Sequence, residues 1–272
     1  MPHPQTKPKK ARRSPSYEAI GQFYDDLWEE RPRTWTAARR RLLEPALSRA
    51  REVCELGCGT GKTAIEFARC GLRVFARDFS PEMCRITREK ARAEGLDVRV
   101  SRADMRTFRL PVQVDLVTSE WGVINHLRRR SDLARTFRAV ARALRAGGYF
   151  YFDLHQRKLY EEHWSQILMA RGVSTDQGRK FFAVQRGGYD RSSGKGWTEI
   201  TIFVHRAGRL WERRHERIEE IHWPHGEIVR DLGRAGFQLL RVFDFTDLSS
   251  APSPKKVPDG LRTMYLARKK GA

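Results

Sequence analysis

The sequence predicts an α/β protein: a seven-stranded, mostly parallel sheet with helices on both faces, and a small antiparallel β insertion before the last helix. Three patterns predict it. Between Arg51 and Leu154, short apolar runs alternate with segments of helical period. The first of those runs ends in a glycine-rich turn that opens a helix. From about Phe181 to Ile221 the period drops to two, the signature of antiparallel strands.

The elements follow in order. Residues 1–15, rich in Pro, Lys and Arg with no periodic apolar positions, read as a flexible basic tail before a single domain over 16–272. From Tyr17, Ile20, Phe23, Tyr24 and Leu27 fall at helical spacing, and a second helical stretch covers Thr34 to Leu47. Arg51 to Leu56 reads as a buried strand and Thr60 to Cys70 as a helix stopped by Gly71. Leu72 to Arg77 is a strand, and Pro81 to Glu94 a helix stopped by Gly95. Val98 to Ser101 and Val112 to Thr118 are strands. Asp132 to Leu144 is a helix ended by Gly147-Gly148, and Tyr149 to Leu154 a strand. The inserted region, 158–222, holds a hairpin (Trp197 to His205 and Arg209 to Ile221) with one preceding strand. After Pro224 a helix ends at Gly236, and Phe237 to Phe245 and Arg262 to Arg268 complete the sheet around a Pro-rich loop, Ser249 to Gly260.

Composition excludes several classes. Apolar residues make up 40% and charged residues 32% of the 272, an ordinary globular balance. No apolar run approaches the roughly 20 residues of a membrane helix, and the basic N-terminus lacks a signal sequence's apolar core. Four Cys are too few for a disulfide framework, so a reducing, cytoplasmic setting is expected. Cys54 and Cys58 lack the further ligands of a metal site. The charge stands out: 53 Lys+Arg against 33 Asp+Glu, a formal +20. Of the basic residues 12 are Lys and the other 41 Arg, mostly dispersed singly, whereas a nucleic-acid footprint concentrates them on one face with aromatics between.

Val53 to Ala64 reads VCELGCGTGKTA. Glycines at Gly57, Gly59 and Gly61 let the backbone bend sharply and let a ligand approach where a Cβ would collide. The spacing is neither that of a dinucleotide fold nor that of a phosphate-binding P-loop. Asp78 follows Leu56 by 22 residues, where a nucleoside fold holds ribose hydroxyls. Asp104-Met105 follows the third strand and could flank a purine.

Taken together, VCELGCGTG, VFARDFSPEMC, VSRADMRTF and VDLVTSEWGVINHL resemble the class I S-adenosylmethionine-dependent methyltransferases, most of all the bacterial subgroup acting on small molecules. The resemblance covers residues 17 to 154 and the closing 224 to 268. It implies a Rossmann-like sheet, S-adenosyl-L-methionine as cofactor and S-adenosyl-L-homocysteine as product. Gly57, Gly59 and Gly61 would pass under the methionine portion, with Glu55 fixing the turn and Asp78 taking both ribose hydroxyls. Phe79 and Met83 would sandwich the adenine, Asp104 would accept from its amino group beside Met105, and Glu120 and Trp121 would line the inner side. Tyr24 would cap the site, with Trp35 in a similar place.

The implied chemistry asks mainly for alignment of a nucleophile with the S–CH₃ bond, and positioning supplies roughly 7–11 kcal/mol of a barrier. A general base adds about 10²- to 10⁴-fold where the acceptor carries a proton. His126 and His155, the latter beside Asp153, stand at the C-terminal ends of neighbouring strands and are the candidates, with Tyr24. Trp211, His215 and Arg217 alternate onto one hairpin face and are expected, with Asp153, to bind the acceptor. Arg217 suggests an anionic one.

The expected partner is therefore a small molecule, transferred to at N or O by in-line displacement, with no specific nucleic acid and no membrane, in a monomer or homodimer. The alternative is an RNA-directed methyltransferase, suggested only by the positive charge. Against it, Ser119-Glu120-Trp121-Gly122 stands where enzymes methylating exocyclic base amines carry Asn/Asp-Pro-Pro-aromatic, and no Cys follows Pro.

Overall fold

The computed structural model describes residues 17–28, 33–166, 168–174, 180–244 and 260–271. The tail 1–15 and most of the Pro-rich loop lie outside the described residues. Strands β1 (Glu52–Leu56), β2 (Arg73–Asp78), β3 (Val98–Arg102), β4 (Val114–Ser119), β5 (Leu144–His155), β10 (Phe237–Asp244) and β11 (Arg262–Lys269) form one sheet in the order β10-β11-β5-β4-β1-β2-β3. Only β11 runs antiparallel to its neighbours. Crossover helices α3 (Lys62–Arg69), α4 (Pro81–Ala93) and α5 (Arg130–Ala143), with α7 (His225–Arg234) before β10, cover the two faces. The seven strands, the mostly parallel order and the helical crossovers are those the sequence predicts.

Burial explains the strand sequences. All five residues of β1 are buried, as is β5 from Phe150 to His155, so these stretches read as continuous runs rather than alternation. Phe150, Phe152 and Tyr265 stack across β5 and β11 with ring centroids 4.6 and 4.9 Å apart. Truncating one such ring to Ala costs about 3–5 kcal/mol. The strand order reverses between β1 and β4, and open α/β sheets place ligands at that switch point, outside the carboxyl ends.

Two parts differ from expectation. The insertion holds four antiparallel strands, not three: β6 (Leu168–Ser174), β7 (Lys180–Asp190), β8 (Lys195–His205) and β9 (Trp211–Ile221), after a short α6 (Arg157–Glu162). Arg171 and Gly172 within LMARGVS hide β6, because its sequence lacks a clean two-residue alternation. The N-terminal helix is broken into a turn, a 3₁₀ stretch (Gly21–Phe23) and one turn of helix, α1 (Tyr24–Leu27). Its start is pinned from outside: Glu216 of β9 accepts from the backbone N–H groups of Tyr17 and, at 3.0 Å, Ala19. Ile20 and Phe23 then bury against Phe181, Ile200, Ile202 and Ile218 of the insertion sheet. The following α2 (Arg33–Leu47) matches the second expected helix.

Candidate functional site

The turn between β1 and α3 is built by backbone geometry that only glycine adopts easily. Gly57, Gly59 and Gly61 all have positive φ. A Cβ on Gly57 would stand 2.4 Å from a Val123 methyl carbon, and one on Gly61 2.7 Å from Thr87. At Gly59 a Cβ would meet nothing within 4 Å. That open face is bounded by Asp78, whose Oδ2 accepts from Gly59 N–H at 2.9 Å while Oδ1 accepts from Ser80 N–H at 2.8 Å. Burial pushes the Asp78 carboxyl above its ordinary range, and those two N–H groups and His126 offset only part of it.

Around this turn the expected cofactor residues fall into two groups. Asp78, Phe79, Asp104 and Met105 sit at the carboxyl ends of β2 and β3. Phe79 is exposed with Arg102 over its ring at 5.4 Å, and Met83 is on the buried face of α4. Asp104 is held by Arg106 at 2.6 Å, and that hydrogen bond keeps its pKa below the usual range despite partial burial. Glu55 is buried at the strand end. Glu120 is buried too, and takes Arg39 of α2 at 3.3 Å. Arg39, itself 1% exposed, also donates to Thr63 and Glu66. Burial opposes its charge, but Glu120 and Glu66 more than compensate. A buried guanidinium beside the glycine turn gave no sequence signal, since Arg39 is one of three consecutive arginines. Trp35 lies in α2, and its side chain is outside the described residues.

After β4, Trp121 and Gly122 both take left-handed backbone, φ 71° and 70°. For Trp121 this costs about 1–3 kcal/mol. Asp153 of β5, fully buried, holds the turn by accepting from the N–H groups of Trp121 and Gly122, and is itself paired with Arg262 at 3.0 Å. Asp153 is thus a clamp inside the protein rather than a group facing an acceptor. Arg262 also lies over the Trp121 ring at 4.7 Å.

The two candidate histidines separate. His155 is buried; its Nδ1 is 2.6 Å from Glu220 Oε2 and its Nε2 2.6 Å from Arg262. Arginine only donates, so Nε2 is the acceptor and Nδ1 carries the proton that Glu220 takes. Both ring nitrogens are committed, which removes His155 as a free base. His126 closes a 3₁₀ turn (Val123–His126) and is partly exposed; its Nε2 meets Tyr17 Oη at 3.2 Å. Asn125 beside it, unanticipated from sequence, ties this turn to β5 and β9 through the His155 and Ile221 backbones.

Tyr17 links the two halves. Burial, then the neighbouring Tyr24, Glu220, Glu216 and Asp78, pushes its pKa well up. Tyr24 packs edge-on against Tyr17 at 5.6 Å and tilted on Trp28 at 4.8 Å, forming an aromatic roof. Asp25 fastens that roof to the glycine turn through Thr60 at 2.8 Å and Lys62 at 3.2 Å, and Glu18 reaches Ser80 at 2.8 Å.

The hairpin expectation is corrected. Trp211, His215 and Arg217 face outward; Trp211 is 50% exposed, and Arg217 pairs with Glu199 and Glu219 above the Trp197 ring. The inner face carries Glu216, Ile218 and Glu220. Adjacent residues of a strand point to opposite faces, so a one-residue error in phase exchanges the whole set. With Arg217 outside, the basis for an anionic acceptor goes.

A sequence family described as a methyltransferase domain matches residues 53–148. The chain is 30% identical over 194 residues to the cypemycin N-terminal methyltransferase of a Streptomyces species, covering 71% of this chain and 74% of that one. It belongs to the S-adenosylmethionine-dependent methyltransferases. Solved structures agree in fold. An S-adenosylmethionine-dependent methyltransferase from Clostridium acetobutylicum superposes with a TM-score of 0.75 at 23% identity, over 94% of this chain and 99% of that one. The sugar N-methyltransferase KedS8 from Streptoalloteichus gives 0.74 at 20% identity over 99% of both. The open face at Gly59 beside Asp78 fits that family's cofactor, S-adenosylmethionine. Among the described residues no cluster of three His, Cys, Asp or Glu could hold a metal ion, and no helix is long and apolar enough to cross a membrane.

Proposed function

We propose that this methyltransferase acts on a nitrogen or oxygen of a small molecule, held between His126 and the inner face of β9. The observation that carries the reading is Tyr17, whose hydroxyl meets His126 Nε2 at 3.2 Å while its N–H is held by Glu216 of β9, so that it stands between the β4 end of the sheet and the insertion. S-adenosylmethionine supplies a methyl group activated on a sulfonium. The protein's residues bind and align. Asp78 accepts the ribose hydroxyls, Phe79 and Met83 flank the adenine, and Gly59 leaves room for the methionine chain. Arg39 offers a buried positive charge near that chain's carboxylate. The roof formed by Tyr17, Tyr24 and Trp28 excludes water, and alignment under it contributes most of the rate. His126 Nε2, the ring nitrogen facing Tyr17, takes the acceptor's proton. Four free cysteines, three of them buried, suit a reducing cytoplasm.

Labelled methyl transfer from S-adenosylmethionine to a metabolite extract, run beside bulk RNA, tests this. Label is expected in the small-molecule fraction; label in RNA alone would overturn the small-molecule reading and favour the RNA-directed one.

A further inference from the structure

The insertion sheet presents one carboxylate whose geometry exceeds what packing needs. Glu220, 3% exposed on the inner face of β9, receives both of its hydrogen bonds on one oxygen: His155 Nδ1 at 2.6 Å and Tyr160 Oη at 2.9 Å reach Oε2. His155 is fixed in turn by Arg262, and Arg262 by Asp153. The carboxylate is therefore held in one orientation by His155 of the main sheet and Tyr160 of α6. Its other oxygen, Oε1, faces His126 Nε2 at 3.7 Å. That separation is too long for a hydrogen bond; a donor about 2.9 Å from each atom would bridge them once it replaced Tyr17 Oη, which meets Nε2 at 3.2 Å.

We propose that Glu220 is a specificity-determining residue that selects an amine acceptor, holding its ammonium between Oε1 and His126 Nε2. The proposal rests on the methyltransferase reading above and names the acceptor class within it. Three observations support it. Charged hydrogen bonds are roughly twice as strong as neutral ones, so a buried carboxylate favours an ammonium over a hydroxyl. The Tyr17 ring stands edge-on to His126 at 5.8 Å and walls the pair with an aromatic side chain. The second inward acid, Glu216, already spends both oxygens on the backbone of Tyr17 and Ala19 and so does not compete. The groups facing Glu220 are His155, Tyr160, His126 and Tyr17, with Arg262 behind His155.

The step balances without another reactant. The ammonium gives one proton to His126 Nε2, and the positive charge stays beside Oε1 as it moves from nitrogen to imidazole. The freed lone pair forms the N–C bond as the S–C bond breaks, and sulfur keeps that electron pair as a neutral thioether. His126, partly exposed, then returns the proton to solvent.

Matched pairs test the inference on the S-adenosylhomocysteine complex: benzylamine against benzyl alcohol, cyclohexylamine against cyclohexanol, 2-amino-2-deoxyglucose against glucose. Calorimetry is expected to show at least one amine binding tenfold or more tightly than its alcohol. Glu220→Gln should abolish that preference while leaving S-adenosylhomocysteine affinity within twofold. Tyr160→Phe, which frees Oε2 of one donor, should weaken the preference in part and serves as the second variant should Glu220→Gln not fold. A panel in which no amine outbinds its alcohol overturns the proposal, as does a preference that survives both variants. Failure of the wild type to bind S-adenosylhomocysteine would count instead against the methyltransferase reading.

Discussion

The cofactor half and the acceptor half of this molecule are built on opposite principles. Around Gly57, Gly59, Gly61 and Asp78, one strand–turn–helix–strand–helix unit of under 45 residues fixes the geometry, and its parts meet each other: Gly59 N–H to Asp78, Gly61 against Thr87 of α4. Around His126 and Glu220, the groups come from four distant stretches of chain, with Tyr17 meeting His126 across 109 positions and His155 meeting Glu220 across 65. The first half is local and can be read as a motif. The second exists only once the insertion folds back over the sheet.

The largest expected effect comes from the bond between the halves. Arg262 serves Asp153, His155 and the Trp121 ring at once. Arg262→Ala leaves the fully buried Asp153 without its cation, and breaking such a pair costs about 3–5 kcal/mol. Chemical denaturation should show that loss; a loss below 1 kcal/mol would mean that the Trp121–Gly122 turn does not depend on the clamp.

Next is pH. Ribose hydroxyls donate to an ionised carboxylate, and burial raises the pKa of Asp78. Cofactor affinity should then fall about tenfold per pH unit below that raised value, beginning at higher pH than for a free aspartate. Glu220 runs the other way. Burial opposes its charge, but His155 first, then His126 and Tyr160, lower its pKa, so its support of the fold is full above the ordinary carboxylate range and disappears as pH falls through the lowered value. Between the two, mild acid should weaken cofactor binding before it loosens the insertion. Calorimetry and circular dichroism over the same pH series would separate them; simultaneous loss would contradict the division.

The smallest effect is expected on the outer hairpin face. Trp211→Ala and Arg217→Ala should each change stability by no more than about 0.5 kcal/mol, as exposed surface substitutions do, and leave methyl transfer within twofold. A tenfold loss of transfer in either variant would return the acceptor to that face.

The same contrast explains what the sequence discloses. The seven strands, their helices and the glycine turn with Asp78 are legible because apolar period and local turn chemistry suffice. The phase of β9 is not. Glu212, Arg214, Glu216 and Glu220 make its inner face as polar as its outer one, leaving Ile218 as a single apolar clue. Arg39 is hidden for a similar reason: nothing in a run of three arginines marks the buried one. The N-terminal stretch has helical period, yet Tyr17 takes left-handed backbone, φ 72°, and the chain settles into a turn, a 3₁₀ stretch and one helical turn against the insertion sheet.

Gly59 and Asp78 together form the proposed cofactor cradle. Calorimetric titration of S-adenosylmethionine into the wild type and Asp78→Ala tests it most directly. The wild type should bind, and the variant, deprived of two hydrogen bonds to a charged acceptor at about 1.5–3 kcal/mol each, should bind at least a hundredfold more weakly. No binding by the wild type, or equal binding by both, would contradict it.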